Sequence, residues 1–222
     1  MLLIPSTLTL TEDLEKGRRL LAAASFKPGE LIATFEDPLV AIPSSADLGV
    51  TTCSYCLSRP APGWEEAKDV GDKKKVRACT ACQTAAYCSK RCQRADWNRT
   101  HKKGECKAYQ RARARSTASR DGGGEPSRLP TPVRALIQLL LLTEGEGEAN
   151  ETEREGAREL QSHVMSFRGS GSPGSPRESW HDMSLQALAA LHYLGREADS
   201  DTVADAVELL CKVSSGVCEC II

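Results

Sequence analysis

Residues 79–106, CTACQTAAYCSKRCQRADWNRTHKKGEC, place five cysteines and one histidine within 28 residues. Two more cysteines precede them. The full spacing is Cys53-x2-Cys56-x22-Cys79-x2-Cys82-x5-Cys88-x3-Cys92-x8-His101-x4-Cys106. That makes four ligand pairs, the number two tetrahedral zinc sites require. A Cys-x2-Cys knuckle turns two thiolates toward one ion. Cys88 and Cys92, at i and i+4, share one face of a helix, and Ser89 stands where it can cap that helix.

Other readings of the thiols explain less. A redox Cys-x2-Cys needs a βαβ context and works as one pair rather than four. Buried structural cysteines occur one at a time, whereas seven of the ten fall between residues 53 and 106. The other three, Cys211, Cys218 and Cys220, read as core or tail thiols. Metal also accounts for how the segment folds. Its large apolar residues are Leu57, Trp64, Val70, Val76, Tyr87 and Trp97, too few for an independent core. Ligation supplies the difference, roughly 10 kcal/mol or more per structural zinc. Four protein ligands close each site, and a closed site is structural, because a catalytic zinc keeps a position for water.

The chain has 222 residues, 40% hydrophobic and 27% charged. The N-terminus MLLIPSTLTLTEDLEKG lacks the basic and sustained apolar regions of a signal peptide. No apolar run approaches the ~20 residues of a membrane span. The expectation is an intracellular protein, nuclear and/or cytoplasmic, with reduced thiols. Residues 73–115 hold 14 Lys/Arg and two acids, Asp96 and Glu105, in a chain whose net charge is -1. Such asymmetry marks either a contact surface for nucleic acid or acidic peptide, or a solvated face balancing acidic flanks.

Residues 19–42 read as short strands, with a turn at Lys27-Pro28-Gly29-Glu30. Leu31–Phe35 alternates, and Leu39–Ile42 is a buried-strand candidate ended by Pro43. Residues 107–115 form a basic helical exit and 116–132 a linker by composition. Helices are expected over Val133–Leu142 behind Pro132, Thr152–Phe167, Met183–Tyr193 and Thr202–Val213. Asp199, Ser200 and Asp201 offer caps for the last of these. His163, His181 and His192 read as surface or helix histidines, since no acid or nucleophile pattern accompanies them.

Tyr87-Cys88, Gln93, Asp96-Trp97 and the His/Cys ending resemble a MYND zinc finger. That topology implies interleaved pairs: Cys53, Cys56, Cys88 and Cys92 on one zinc, and Cys79, Cys82, His101 and Cys106 on the other. The last pair departs from the family's usual His-x3-Cys. One added residue on an α-helix rotates the thiol by about 100°. The flanks KGRRLLAAASFKPGELI, ALHYLGRE and ELLCKV resemble the fungal SET-MYND lysine methyltransferases, in which the finger interrupts a SET domain.

The resemblance implies an α+β fold: the N-terminal part of a split SET domain (1–52), the finger (53–106), the exit helix and linker (107–132), a helical insert (133–214) and an atypical tail (215–222). It places Lys16, Gly17 and Arg18 at an S-adenosylmethionine-binding turn, although Arg19 stands where that turn has a second glycine. The family's Asn-His-Ser-Cys motif and channel tyrosine are absent from these residues, so no catalytic residue is assigned. The expectation is a partial SET-MYND protein holding two zinc ions, with S-adenosylmethionine bound only by a complete SET domain. Its implied partners are a proline-containing or acidic peptide, or nucleic acid through 73–115, with no membrane. The rival expectation is one part of a protein-lysine methyltransferase.

Overall fold

The computed structural model describes residues 5–13, 17–34, 39–45, 47–49, 51–59, 76–118, 128–144, 151, 155, 162, 164–168 and 176–215. Its elements in chain order are β1 (Leu8–Asp13), β2 (Gly17–Ala22), β3 (Arg77–Ala78), β4 (Ala86–Tyr87), α1 (Lys90–Asp96), a stretch of π-helical turns (Trp97–Glu105), α2 (Cys106–Ala118), α3 (Thr131–Thr143), α4 (Val164–Arg168), α5 (Pro176–Leu194) and α6 (Ser200–Ser215). Strands and helices segregate along the chain, the mark of an α+β arrangement.

β1 and β2 form an antiparallel hairpin in which Leu10 pairs with Leu20 and Asp13 with Gly17. The alternation Leu8-Thr9-Leu10-Thr11 is the local signal for β1, which lies before the strands expected within 19–42. The turn at Lys27–Glu30 forms: the Glu30 N–H donates to the Lys27 carbonyl at 3.0 Å, with Gly29 at φ 80°.

The strands expected at 31–35 and 39–42 are not there among the described residues. Leu31 is 76% exposed and Ile32 45%. Around 39–45 the backbone carbonyls are taken by side chains instead of a neighbouring strand. Arg99 Nη2 donates to Leu39 O at 2.7 Å, Arg134 Nη2 to Pro43 O at 2.7 Å, and Arg128 Nη1 to Ser45 O at 3.0 Å. These arginines staple the N-terminal segment onto the finger and the helices. Phe35, in the first of those expected strands, lies outside the described residues.

The helical layer is built around α3, where every residue from Val133 to Leu142 except Gln138 is buried. A helix so largely apolar around its circumference belongs in a core. Leu136, Ile137 and Leu140 meet Ala187, Ala190 and Leu191 of α5, and Ala206, Val207 and Leu210 of α6. Each buried leucine contributes about 2 kcal/mol by removal of its surface from water. Tyr109 and Ala112 of α2 join the same cluster, so the exit helix ties finger to helices. Cys211 sits in this core, fully buried; Cys218 and Cys220 lie outside the described residues. α5 and α6 run longer than the periodicity implied. Asp199 caps α6, its Oδ1 accepting the Thr202 N–H at 2.9 Å. Of the helix expected over Thr152–Phe167, most lies outside the described residues.

Candidate metal centre

The two knuckles are built alike. Leu57 N–H donates to Cys53 O at 3.1 Å, and Gln83 N–H donates to Cys79 O at 2.8 Å. Both donors sit at positive φ, 56° and 54°. This tight reversal faces the two thiols of each knuckle the same way. β3 and β4 flank the second knuckle, with the Cys79 N–H donating to Ala85 O at 2.7 Å. The first knuckle is pinned to β4: Ser54 N–H donates to Ala86 O at 2.7 Å, and Ala86 N–H to Ser54 Oγ at 3.0 Å.

Ser89 is the N-cap of α1, and its Oγ accepts the Cys92 N–H at 3.2 Å. Cys88 therefore lies just before the helix, not on it. Its sulfur still stands 3.6 Å from Cys92 Sγ and 3.6 Å from Cys56 Sγ. Two sulfurs bound to one tetrahedral zinc at 2.3 Å are about 3.8 Å apart, while a disulfide would bring them to about 2.05 Å. The described cysteines are all free thiols.

Eight ligand atoms gather into two tetrads, each with its members within 4.8 Å of one another. Cys53, Cys56, Cys88 and Cys92 form the first; Cys79, Cys82, His101 and Cys106 form the second. The chemistry of both donor sets fits zinc, and two ions account for all eight groups. The first tetrad is partly open, with Cys56 exposed, whereas every member of the second is buried. Burial pushes the thiols of Cys53, Cys88, Cys92 and Cys106 up from their ordinary value. At Cys56 burial is outweighed by the Ser58 hydrogen bonds, and the pKa falls to about 6.

Cys106 joins the second tetrad because the helix widens. From Trp97 to Glu105 the turns are π-helical, and the Cys106 N–H donates to His101 O, five residues back. The extra residue of His-x4-Cys is absorbed there, so the expected rotation of the thiol away from the histidine does not occur. Gly104 kinks this stretch, with φ 169°. A side chain there would meet Leu141 Cδ2 at 3.0 Å and Leu194 Cδ2 at 3.3 Å.

Behind the second tetrad lies a buried polar layer. His101 Nε2 faces Cys82 Sγ at 3.8 Å, and Nδ1 faces Glu105 Oε2 at 3.0 Å. Glu105 also accepts from Tyr109 OH at 2.9 Å and Gln138 Nε2 at 2.8 Å. Burial would raise its carboxyl, but these donors hold it below the ordinary value. Tyr87 OH donates to Asp96 Oδ2 at 2.6 Å. Burial and the nearby Glu105 charge push Asp96 up to about 6. Burial would lower the His101 pKa, yet the hydrogen bonds with Cys82 and Glu105 raise it.

Residues 53–106 match the MYND finger family over that whole segment. The chain is 31% identical over 179 residues, 81% of its own length, to the SET domain and MYND-type zinc finger protein 6 of Schizosaccharomyces pombe.

The chain holds a MYND finger and is similar to SET-and-MYND proteins.

It is also 30% identical over 97 residues to the Arabidopsis thaliana histone-lysine N-methyltransferase ASHR1, and 32% over 101 residues to the human histone-lysine N-methyltransferase SMYD3. These matches take in 44% and 46% of this chain. The chain spans less than a third of each relative's length: 29%, 16% and 20%.

In the MYND finger Tyr87 is buried against Asp96. Trp97 is 45% exposed. Gly17 and Arg18, expected at the cofactor turn, begin β2 opposite Asp13 and Glu12; Lys16 lies outside the described residues. His181 and His192 are exposed, and His163 lies outside the described residues. Sequence reasoning missed Glu105, Tyr109 and Gln138 around His101. The signal for Glu105 was an acid four residues after the ligand histidine in a strongly basic stretch.

Proposed function

We propose that this chain is a zinc-dependent binding module for a peptide that carries proline and acidic residues. The observation that carries the reading is the closure of both tetrads. With four protein donors on each ion, metal supplies shape and leaves no position for water. Among the described residues no helix is long and apolar enough to cross a membrane.

Lys90, Arg94 and Trp97 follow each other at i, i+4 and i+7, one stripe along α1 and onto the residue that ends it, and all three are exposed. The indole offers a flat apolar face for a proline ring, and the cations beside it suit acidic neighbours. Lys102, Lys103 and Lys107 extend the exposed positive charge beyond the stripe. The test is fluorescence titration of a labelled acidic, proline-containing peptide library. Trp97→Ala weakens binding at least tenfold, and Lys90→Glu with Arg94→Glu removes acidic selectivity. Binding that ignores Trp97 and falls steeply with salt on an oligonucleotide makes the basic surface a nucleic-acid contact instead.

The names of the plant and human relatives favour a second reading, in which these residues are part of a protein-lysine methyltransferase. Lys16, Gly17 and Arg18 would then approach S-adenosylmethionine. The native mass of the endogenous protein decides between them: a mass well above 24.0 kDa favours this reading, and one near 24.0 kDa plus two zinc ions favours the binding module.

A further inference from the structure

We propose that Glu105 is a positioning residue that couples the second zinc site to the docking of the helical layer, an inference that rests on the two-zinc reading. Its carboxylate has two working sides. Oε2 faces His101 Nδ1 at 3.0 Å and accepts from Thr100 Oγ1 at 3.5 Å. Oε1 accepts from Tyr109 OH at 2.9 Å and from Gln138 Nε2 at 2.8 Å. The side chain is 2% exposed. A buried carboxylate is tolerated only when its lone pairs are filled, and here the donors come from the metal helix, from α2 and from α3.

On the metal side, the Nδ1–H of His101 is committed to the carboxylate. That fixes the tautomer and leaves the Nε2 lone pair directed at the cysteines, where Cys82 Sγ lies 3.8 Å away. A carboxylate behind a ligand histidine raises its basicity and holds its ring plane. On the helical side, Gln138 reaches Glu105 from 33 residues away in sequence, and neighbouring Gly104 lies against Leu141 and Leu194. The backbone that carries the ligand is thus seated on α3 and α5. If α3 shifts, Oε1 loses a donor; if the zinc leaves, the His101 ring loses its second anchor. Metal occupancy and helix docking share one side chain.

The test uses the full chain loaded with zinc. Each ion is titrated against a chromophoric chelator, and hydrogen exchange of α3 is followed before and after removal of the second zinc. Glu105→Leu weakens the second zinc 10–100-fold and leaves the all-cysteine site unchanged. Glu105→Gln recovers most of that loss, because an amide oxygen still accepts from Nδ1–H and Gln138 can turn its own amide. The nitrogen NMR signature of His101, protonated at Nδ1 and metal-bound at Nε2, persists in Glu105→Gln. In Gln138→Leu the exchange of α3 stops responding to the second zinc. Equal weakening of both ions in Glu105→Leu, or a second zinc held as in the wild type, overturns the proposal. If Glu105→Leu does not fold, Gln138→Leu decides: an unchanged α3 response overturns the coupling. A wild-type chain that holds fewer than two zinc ions removes the two-site reading itself, before any variant is made.

Discussion

The backbone N–H of Cys106 donates to the carbonyl of His101, five residues earlier. This bond is what makes His-x4-Cys a usable ligand pair. Turns closed by i→i+5 bonds bring residues five apart onto one side, as α turns do for residues four apart. In this finger the wider turn follows α1 directly and ends where α2 begins.

Gly104 allows that kinked backbone to press against the helices. A methyl group there would stand 3.0 Å from Leu141 Cδ2 and 3.3 Å from Leu194 Cδ2. Both neighbours are side-chain ends that can give a little. Gly104→Ala therefore destabilises the zinc-loaded protein by about 1 kcal/mol through overpacking, with both zinc ions retained. Denaturant unfolding with metal analysis of the folded protein checks this.

The two sites differ in access. Cys56 is exposed, whereas Cys79, Cys82, His101 and Cys106 are all buried. Zinc release to excess chelator is therefore biphasic, with the all-cysteine site emptying first. A chromogenic zinc dye under reducing conditions follows both phases. Cys56→Ser accelerates only the fast one.

Acid displaces the metal, and the sign follows from the thiols. Burial raises Cys53, Cys88, Cys92 and Cys106, so at neutral pH each gives up a proton when zinc binds. Bound zinc depresses those same pKa values below their unfolded ones. The stability it contributes is thus present above the unfolded thiol pKa, about 8.5, and is lost as pH falls. The loss is complete only once pH has fallen through the zinc-bound thiol pKa values, which lie below the unfolded one. Thermal unfolding against pH, with and without a chelator, gives curves that converge on the acid side. Calorimetry in buffers of different ionisation enthalpy counts the released protons.

Arg134 is fully buried in α3. It donates to Leu129 O at 3.1 Å and Pro43 O at 2.7 Å. Arg134→Leu leaves these carbonyls without a donor, at a cost of about 2–4 kcal/mol. The zinc count stays unchanged while protease cleavage near residues 39–45 speeds up. Limited proteolysis with mass mapping reads both.

The ligand pairs were legible because their chemistry is local. Two knuckles and an i, i+4 pair announce themselves by spacing, whatever the rest of the chain does. The π-helical widening was not legible, since the spacing argument assumed the α-helical rotation of about 100° per residue. Tyr87 is core, and its hydroxyl is satisfied by Asp96, a partner that the spacing of the cysteines does not announce. Asp96 and Glu105 are the two acids of a basic stretch, and the structure buries both beside His101. Their partners Tyr109 and Gln138 depend on how α2 and α3 approach, which no local pattern encodes. The apolar run 39–42 misled for a related reason: arginines from distant elements claimed its flanking carbonyls, and no strand paired with it.

The finger holds two zinc ions, the second through His101 and Cys106 across the widened turn. Native mass spectrometry of the wild-type chain and of Cys106→Ser tests this most directly. The wild type is expected at 24.0 kDa plus two zinc ions, and the variant with one. One zinc on the wild-type chain, or two on Cys106→Ser, would contradict it.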